Sequence, residues 1–101
     1  MRVKIKLFAT LRERVGLSEM TVEFNGGIVE LLEAADREAD GKLKLEVWDE
    51  EKNWFKDGIL VFVNGRNIEF AGGKNAKFKD GDVIAIFPQV AGGSLYSLRK
   101  G

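Results

Sequence analysis

A chain of 101 residues, 45% hydrophobic and 32% charged, has material for one hydrophobic core and the length of a single domain. Sixteen Lys+Arg balance sixteen Asp+Glu, so the basic excess expected of a nucleic-acid binder is absent. With no His and no Cys there are no imidazole bases, thiolate nucleophiles or disulfides, and nearly every transition-metal site is excluded. Chemistry that passes through this chain is therefore expected to draw its catalytic groups from another protein.

The N-terminal stretch MRVKIKLFATLRERVG alternates charge and apolarity, which fits neither a signal peptide nor a membrane span, and a cytoplasmic location is expected. Val3 to Phe8 reads as a half-buried strand, with Val3, Ile5 and Leu7 on one face and Lys4, Lys6 and Phe8 on the other. Phe8 is thus an aromatic ring on a face otherwise held by lysines. Ala9–Val15 is a short irregular or helical connection closed by Gly16, and Glu19–Phe24 alternates as a second strand.

After Asn25-Gly26-Gly27, Ile28, Leu31, Leu32 and Ala35 form one apolar stripe of a helix running from about Ile28 to Ala39. It stops near Asp40-Gly41, and Asn25 or a glycine has to serve as its start signal. In the segment Lys42–Gly58, Leu43, Leu45, Val47 and Trp48 are candidates for the core. Asp49–Asn53 reads as an exposed turn, and Trp54-Phe55 as a satellite hydrophobic cluster.

Ile59–Val63 is an unbroken apolar run, expected to be a central strand covered on both faces, and Asn64-Gly65 is a tight-turn signal. Asn67–Phe70 returns as a short edge strand. Val83–Phe87 is the last strand, stopped by Pro88, the only proline. Asp80-Gly81-Asp82 reads as turn chemistry rather than a paired-carboxylate site, and Gly72-Gly73-Lys74 lacks the spacing of a phosphate loop. One helix packed on a mixed sheet of about five strands is an α+β domain. With the first and last strands central and parallel, it is the ubiquitin-like β-grasp.

Three blocks carry a family resemblance: LFATLRERVG at Leu7–Gly16, VFVNGRNI at Val61–Ile68 and DGDVIAIFPQVAGG at Asp80–Gly93. Together they resemble the MoaD family, the small subunits of molybdopterin synthase. The ThiS carriers of thiamine synthesis and the archaeal small ubiquitin-like modifiers share the fold and the double glycine. The resemblance implies a β-grasp domain over residues 1–88, a flexible tail Gln89–Gly93 and a further stretch Ser94–Gly101. It also implies carrier chemistry at Gly93. A ubiquitin-activating-type (MoeB-like) enzyme uses ATP and magnesium to adenylate the Gly93 carboxylate, which is then converted to a thiocarboxylate. A MoaE-like large subunit then takes the sulfur for a pyranopterin. The chain itself is expected to bind no cofactor, metal, nucleic acid or membrane.

Val90, Ala91 and Gly92 form the stem of that tail, and glycine's lack of a Cβ suits a narrow channel. Phe8 and Phe87, with Phe62 as a neighbour, are expected on one outward face as a partner-binding patch, and Arg12 and Arg66 as basic residues that touch a partner. Two departures from the family stand out: Gln89 replaces a frequent second proline, and residues follow Gly93. A Gly93 in peptide linkage has no carboxylate to activate, so proteolytic removal of Ser94–Gly101 is expected. The competing readings are a modifier joined through Gly93 to lysines, a ThiS-like carrier, and a non-catalytic interaction module whose tail is never cut.

Overall fold

A computed structural model describes residues 1–88 of the chain. Its elements in order are strand β1 (Arg2–Leu7), helix α1 (Thr10–Val15), strand β2 (Glu19–Glu23), helix α2 (Ile28–Glu38) and helix α3 (Lys42–Val47). Strands β3 (Trp48–Asp49), β4 (Trp54–Phe55), β5 (Leu60–Val63) and β6 (Arg66–Asn67) follow, then two short 3-10 turns and strand β7 (Val83–Phe87). The main sheet has the order β2-β1-β7-β5-β6, with β1 and β7 parallel at its centre. This is the mixed five-stranded β-grasp with a helix across one face.

Alternation within the strands decides what the helix covers. Val3, Ile5, Leu7, Val22, Val61, Val63, Ile84 and Ile86 are buried against Ile28, Leu31, Leu32 and Ala35 of α2. Gly27 caps the N-terminus of helix α2, and its N–H donates to the Glu30 carboxylate at 2.8 Å, so one orphan donor is satisfied from the third helical position. Gly26 is required beside it: its φ is 118°, and a Cβ there would lie 2.7 Å from Glu30 Oε1.

The helix ends in a Schellman motif. Gly41 N–H donates to Asp36 O at 2.8 Å and Asp40 N–H to Arg37 O at 3.2 Å, with Asp40 at φ 55°. The Asp36 side chain then caps the next helix, accepting from Leu43 N–H at 3.0 Å and Lys44 N–H at 2.8 Å. Lys42–Val47 is a helix, and one core expectation is corrected: Leu43, Val47 and Trp48 are buried, whereas Leu45 points to solvent and is 72% exposed. Glu50–Asn53 is the turn of a small hairpin, with Asp49 paired to Trp54 at its base, and Trp48, Trp54 and Phe55 pack edge to face beside it, with Trp48 and Phe55 joining the main core.

Two further expectations change. Strand β5 lies between β7 and the edge strand β6 and is covered on one face only, since Leu60 is exposed and Phe62 half-buried. The return segment pairs over only Arg66–Asn67, and Ile68–Phe70 coils into a 3-10 turn because the Asn67 side chain accepts from Glu69 N–H at 2.8 Å. Asn64-Gly65 turns as expected, at φ 51° and 84°.

Candidate partner-binding face

The uncovered face of the sheet is built from the strand residues that alternation turns away from α2. Register aligns them in rows: Lys6, Ala85, Phe62 and Asn67 form one, and Phe87 and Leu60 stand opposite each other in the next. Phe8 continues the outward line of β1. Its ring stacks on Phe87 with centroids 4.5 Å apart and planes 7° from parallel, and Phe62 meets Phe87 edge-on at 5.7 Å. Leu60 extends the apolar surface with 42% exposure. Phe8, Phe62 and Phe87, placed together by alternation alone, are thus one half-exposed cluster at the end of the sheet where β7 gives way to Pro88.

The segment Lys42–Gly58 does not fold over these rings. Helix α3 packs on α1 and α2, and its buried residues belong to the core beneath the sheet. Aromatic surface left open in this way gives large contact area with few rotamers to freeze, which suits a docking anchor.

Sequence reasoning missed how Phe8 is aimed. Leu11 N–H donates to Phe8 O at 3.1 Å, closing a tight turn in which Ala9 sits at φ 52°, ψ −131°. Those angles belong to the first central position of a type II′ turn, normally taken by glycine. The turn ends β1 directly after Phe8 and starts α1, whose Leu11 and Val15 are anchored in the core. The motif FATLRERV gives no hint of it, because alanine is not a turn residue.

The two arginines are not brought into the cluster. Arg12 is solvent-exposed on α1. Arg66 pairs with Val63, whose side chain faces the helix layer, so register assigns Arg66 to the side of the sheet away from the phenylalanines. Val90, Ala91, Gly92 and Gly93, and the stretch Ser94–Gly101, lie outside the described residues.

Near Pro88 a groove of about 330 Å³ runs between Thr10, Arg14, Glu46, Lys56 and Ile59, where Arg14 Nε stands 3.7 Å from Glu46 Oε1. The larger cavity, about 740 Å³, lies at the other end of the sheet among Arg2, Lys4, Thr21, Glu23 and Asp80. Its charges are already matched, with Arg2 bonded to Glu23 at 2.7 Å and Lys4 3.7 Å from Glu19. Neither is a chemical centre. Among the described residues no group of three His, Cys, Asp or Glu is placed to hold a metal ion.

Asp82 is the one buried charged residue among those described, and its role is structural. Oδ1 accepts from Asn64 Nδ2 and from Lys79 Nζ, each at 2.9 Å, and Oδ2 accepts from Lys79 N–H at 2.9 Å. Burial pushes its carboxyl upward, but the hydrogen bonds from Asn64 and Lys79 outweigh that and hold it below the ordinary carboxylate range. Asn64 closes the link by accepting from Val83 N–H at 2.9 Å. The Asp-Gly-Asp turn therefore pins the start of β7 to the β5–β6 turn.

The model of the ThiS family matches residues 5–93. Small archaeal modifier protein 3 of Haloferax volcanii is 32% identical over 95 residues, covering 92% of this chain and 100% of that protein. A protein of Archaeoglobus fulgidus, provisionally named a sulfur carrier protein, is 32% identical over 98 residues with the same coverage. Among solved structures, one from Pyrococcus furiosus, provisionally named molybdopterin converting factor subunit 1, superposes with a TM-score of 0.65 at 30% identity. That match covers 89% of this chain and 99% of the other. The chain belongs to the ThiS family of ubiquitin-like proteins, which embraces sulfur carriers and small archaeal modifiers.

Proposed function

We propose that this protein is a sulfur carrier acting as the small subunit of a molybdopterin synthase. A partner of the ubiquitin-activating type adenylates the Gly93 carboxylate: a carboxylate oxygen attacks the α-phosphate of ATP and pyrophosphate leaves. A sulfide-level nucleophile from a sulfur donor then attacks the acyl carbon and displaces AMP to give the thiocarboxylate, and a large subunit presents the pterin precursor to it. A carboxylate is a poor electrophile and an acyl phosphate a good one, so activation has to precede sulfur transfer.

The observation that carries this reading is the Phe8–Phe87–Phe62 cluster. It is an open aromatic anchor on the strand whose last residue, Phe87, stands six positions before Gly93. A partner held there has Gly93 within six residues of chain from the anchor. Likeness to the Pyrococcus furiosus protein supports the molybdopterin branch. Likeness to the Haloferax volcanii modifier favours a second reading, in which the activated Gly93 is joined to lysines instead.

Intact-mass spectrometry of the protein from its native cell tests the proposal. A chain ending at Gly93 with one oxygen exchanged for sulfur is expected. Lysine-linked conjugates without any thiocarboxylate would select the modifier, and a chain always intact to Gly101 would contradict both.

A further inference from the structure

The dipeptide Asn-Gly occurs twice, at Asn25-Gly26 and Asn64-Gly65, and the fold treats the two oppositely. This pair is chemically reactive, because glycine offers no Cβ to keep its amide nitrogen from the asparagine side chain. Attack requires the side-chain amide to rotate freely and the following N–H to be unencumbered.

At Asn64 the first freedom is lost. Its Nδ2 donates to the buried Asp82 carboxylate and its Oδ1 accepts from Val83 N–H, both at 2.9 Å, which fixes the side-chain plane. At Asn25 both exist. The residue is exposed, lies between β2 and α2 outside either element, and precedes a glycine at φ 118°. Among the described residues neither the Asn25 side chain nor the Gly26 N–H makes an intramolecular hydrogen bond; the nearby Glu30 carboxylate is taken by Gly27 N–H.

We propose that Asn25 is a spontaneous modification site, the position at which this protein deamidates while folded. The Gly26 nitrogen bonds to Cγ of Asn25 and loses its proton, the bond from Cγ to the side-chain nitrogen breaks, and that nitrogen leaves as ammonia. The resulting five-membered imide takes up one water, opening at either carbonyl to aspartate or isoaspartate. No oxidant or reductant is involved, and the co-reactant is water. The product carries a new negative charge just ahead of the α2 N-terminus, where the helix dipole accommodates it. The isoaspartate form also adds a methylene to the chain entering Gly26-Gly27.

The test is peptide mapping of the full chain after incubation in mildly alkaline buffer, in the native state and in urea. Natively, isoaspartate should accumulate at position 25 at least about tenfold faster than at position 64, since the two hydrogen bonds restrain only the latter. In urea the two sites should react alike, and Asn25→Gln should remove the early native product. Equal native rates at the two sites, or an inert Asn25 in folded protein whose unfolded chain reacts there, would overturn the proposal.

Discussion

Ala9 spends backbone strain to aim an aromatic ring. A non-glycine residue at φ 52°, ψ −131° stores on the order of 1–3 kcal/mol, and the position is fixed by the core anchors Leu11 and Val15 on one side and β1 on the other. Ala9→Gly should relieve it, less about 0.4–1 kcal/mol for the freer unfolded chain, a net gain of about 1 kcal/mol. Thermal unfolding would register this as a Tm higher by roughly 4–8 °C, and an unchanged or lower Tm would refute the strain. Asp82 makes the opposite contribution. Its native pKa lies below its unfolded one, so its stabilisation is complete above the ordinary carboxylate range and is lost as pH falls through that range to the lower native value. Asp82→Asn should cost about 1–3 kcal/mol near neutrality and should flatten the acid side of the stability–pH curve, measured by denaturant titration at several pH values.

At the scale of elements, Leu43 and Leu45 separate helix from strand in α3. In a strand both side chains would share a face; in the helix Leu43 is fully buried and Leu45 is not. Leu43→Ala should cost about 2–5 kcal/mol, whereas Leu45→Ala should stay within about 0.5 kcal/mol. Comparable losses in urea unfolding would remove the helix. The sequence misleads here for a physical reason. KLKLEV alternates like a strand, and its capping carboxylate, Asp36, is supplied from the last turn of α2, where it reads as part of a solvated face. Helix α2 was legible because eleven residues hold a complete apolar stripe. Strand β5 was legible in place but not in coverage, because Leu60 and Phe62 are apolar for an open face rather than for the core. The phenylalanine cluster could be read from alternation in β1 and β7, which assigns Phe8 and Phe87 to one side. Arg66 could not be placed without the register of β6 on β5.

At the scale of the whole molecule the two faces of the sheet divide the work. One is sealed by α2 and gives the domain its stability, and the other keeps an aromatic patch in solvent beside the strand that leads into the tail. Truncating both Phe8 and Phe87 to Ala should therefore leave the fold in place, because neither ring belongs to the core beneath α2. Affinity for the activating enzyme or the large subunit should fall by about 2 kcal/mol or more, the cost of removing a central anchor. Isothermal titration with both partners checks this, and unchanged affinity for both would separate the patch from function. In the proposed function Gly93 is the activated terminus. Its most direct measurement is acyl-adenylate formation by a chain ending at Gly93 and by the full 101 residues, each with ATP, magnesium and the activating enzyme. Adenylation is expected for the chain ending at Gly93 and not for the full-length chain. Failure of both, or activation of the full-length chain without cleavage, would contradict this role.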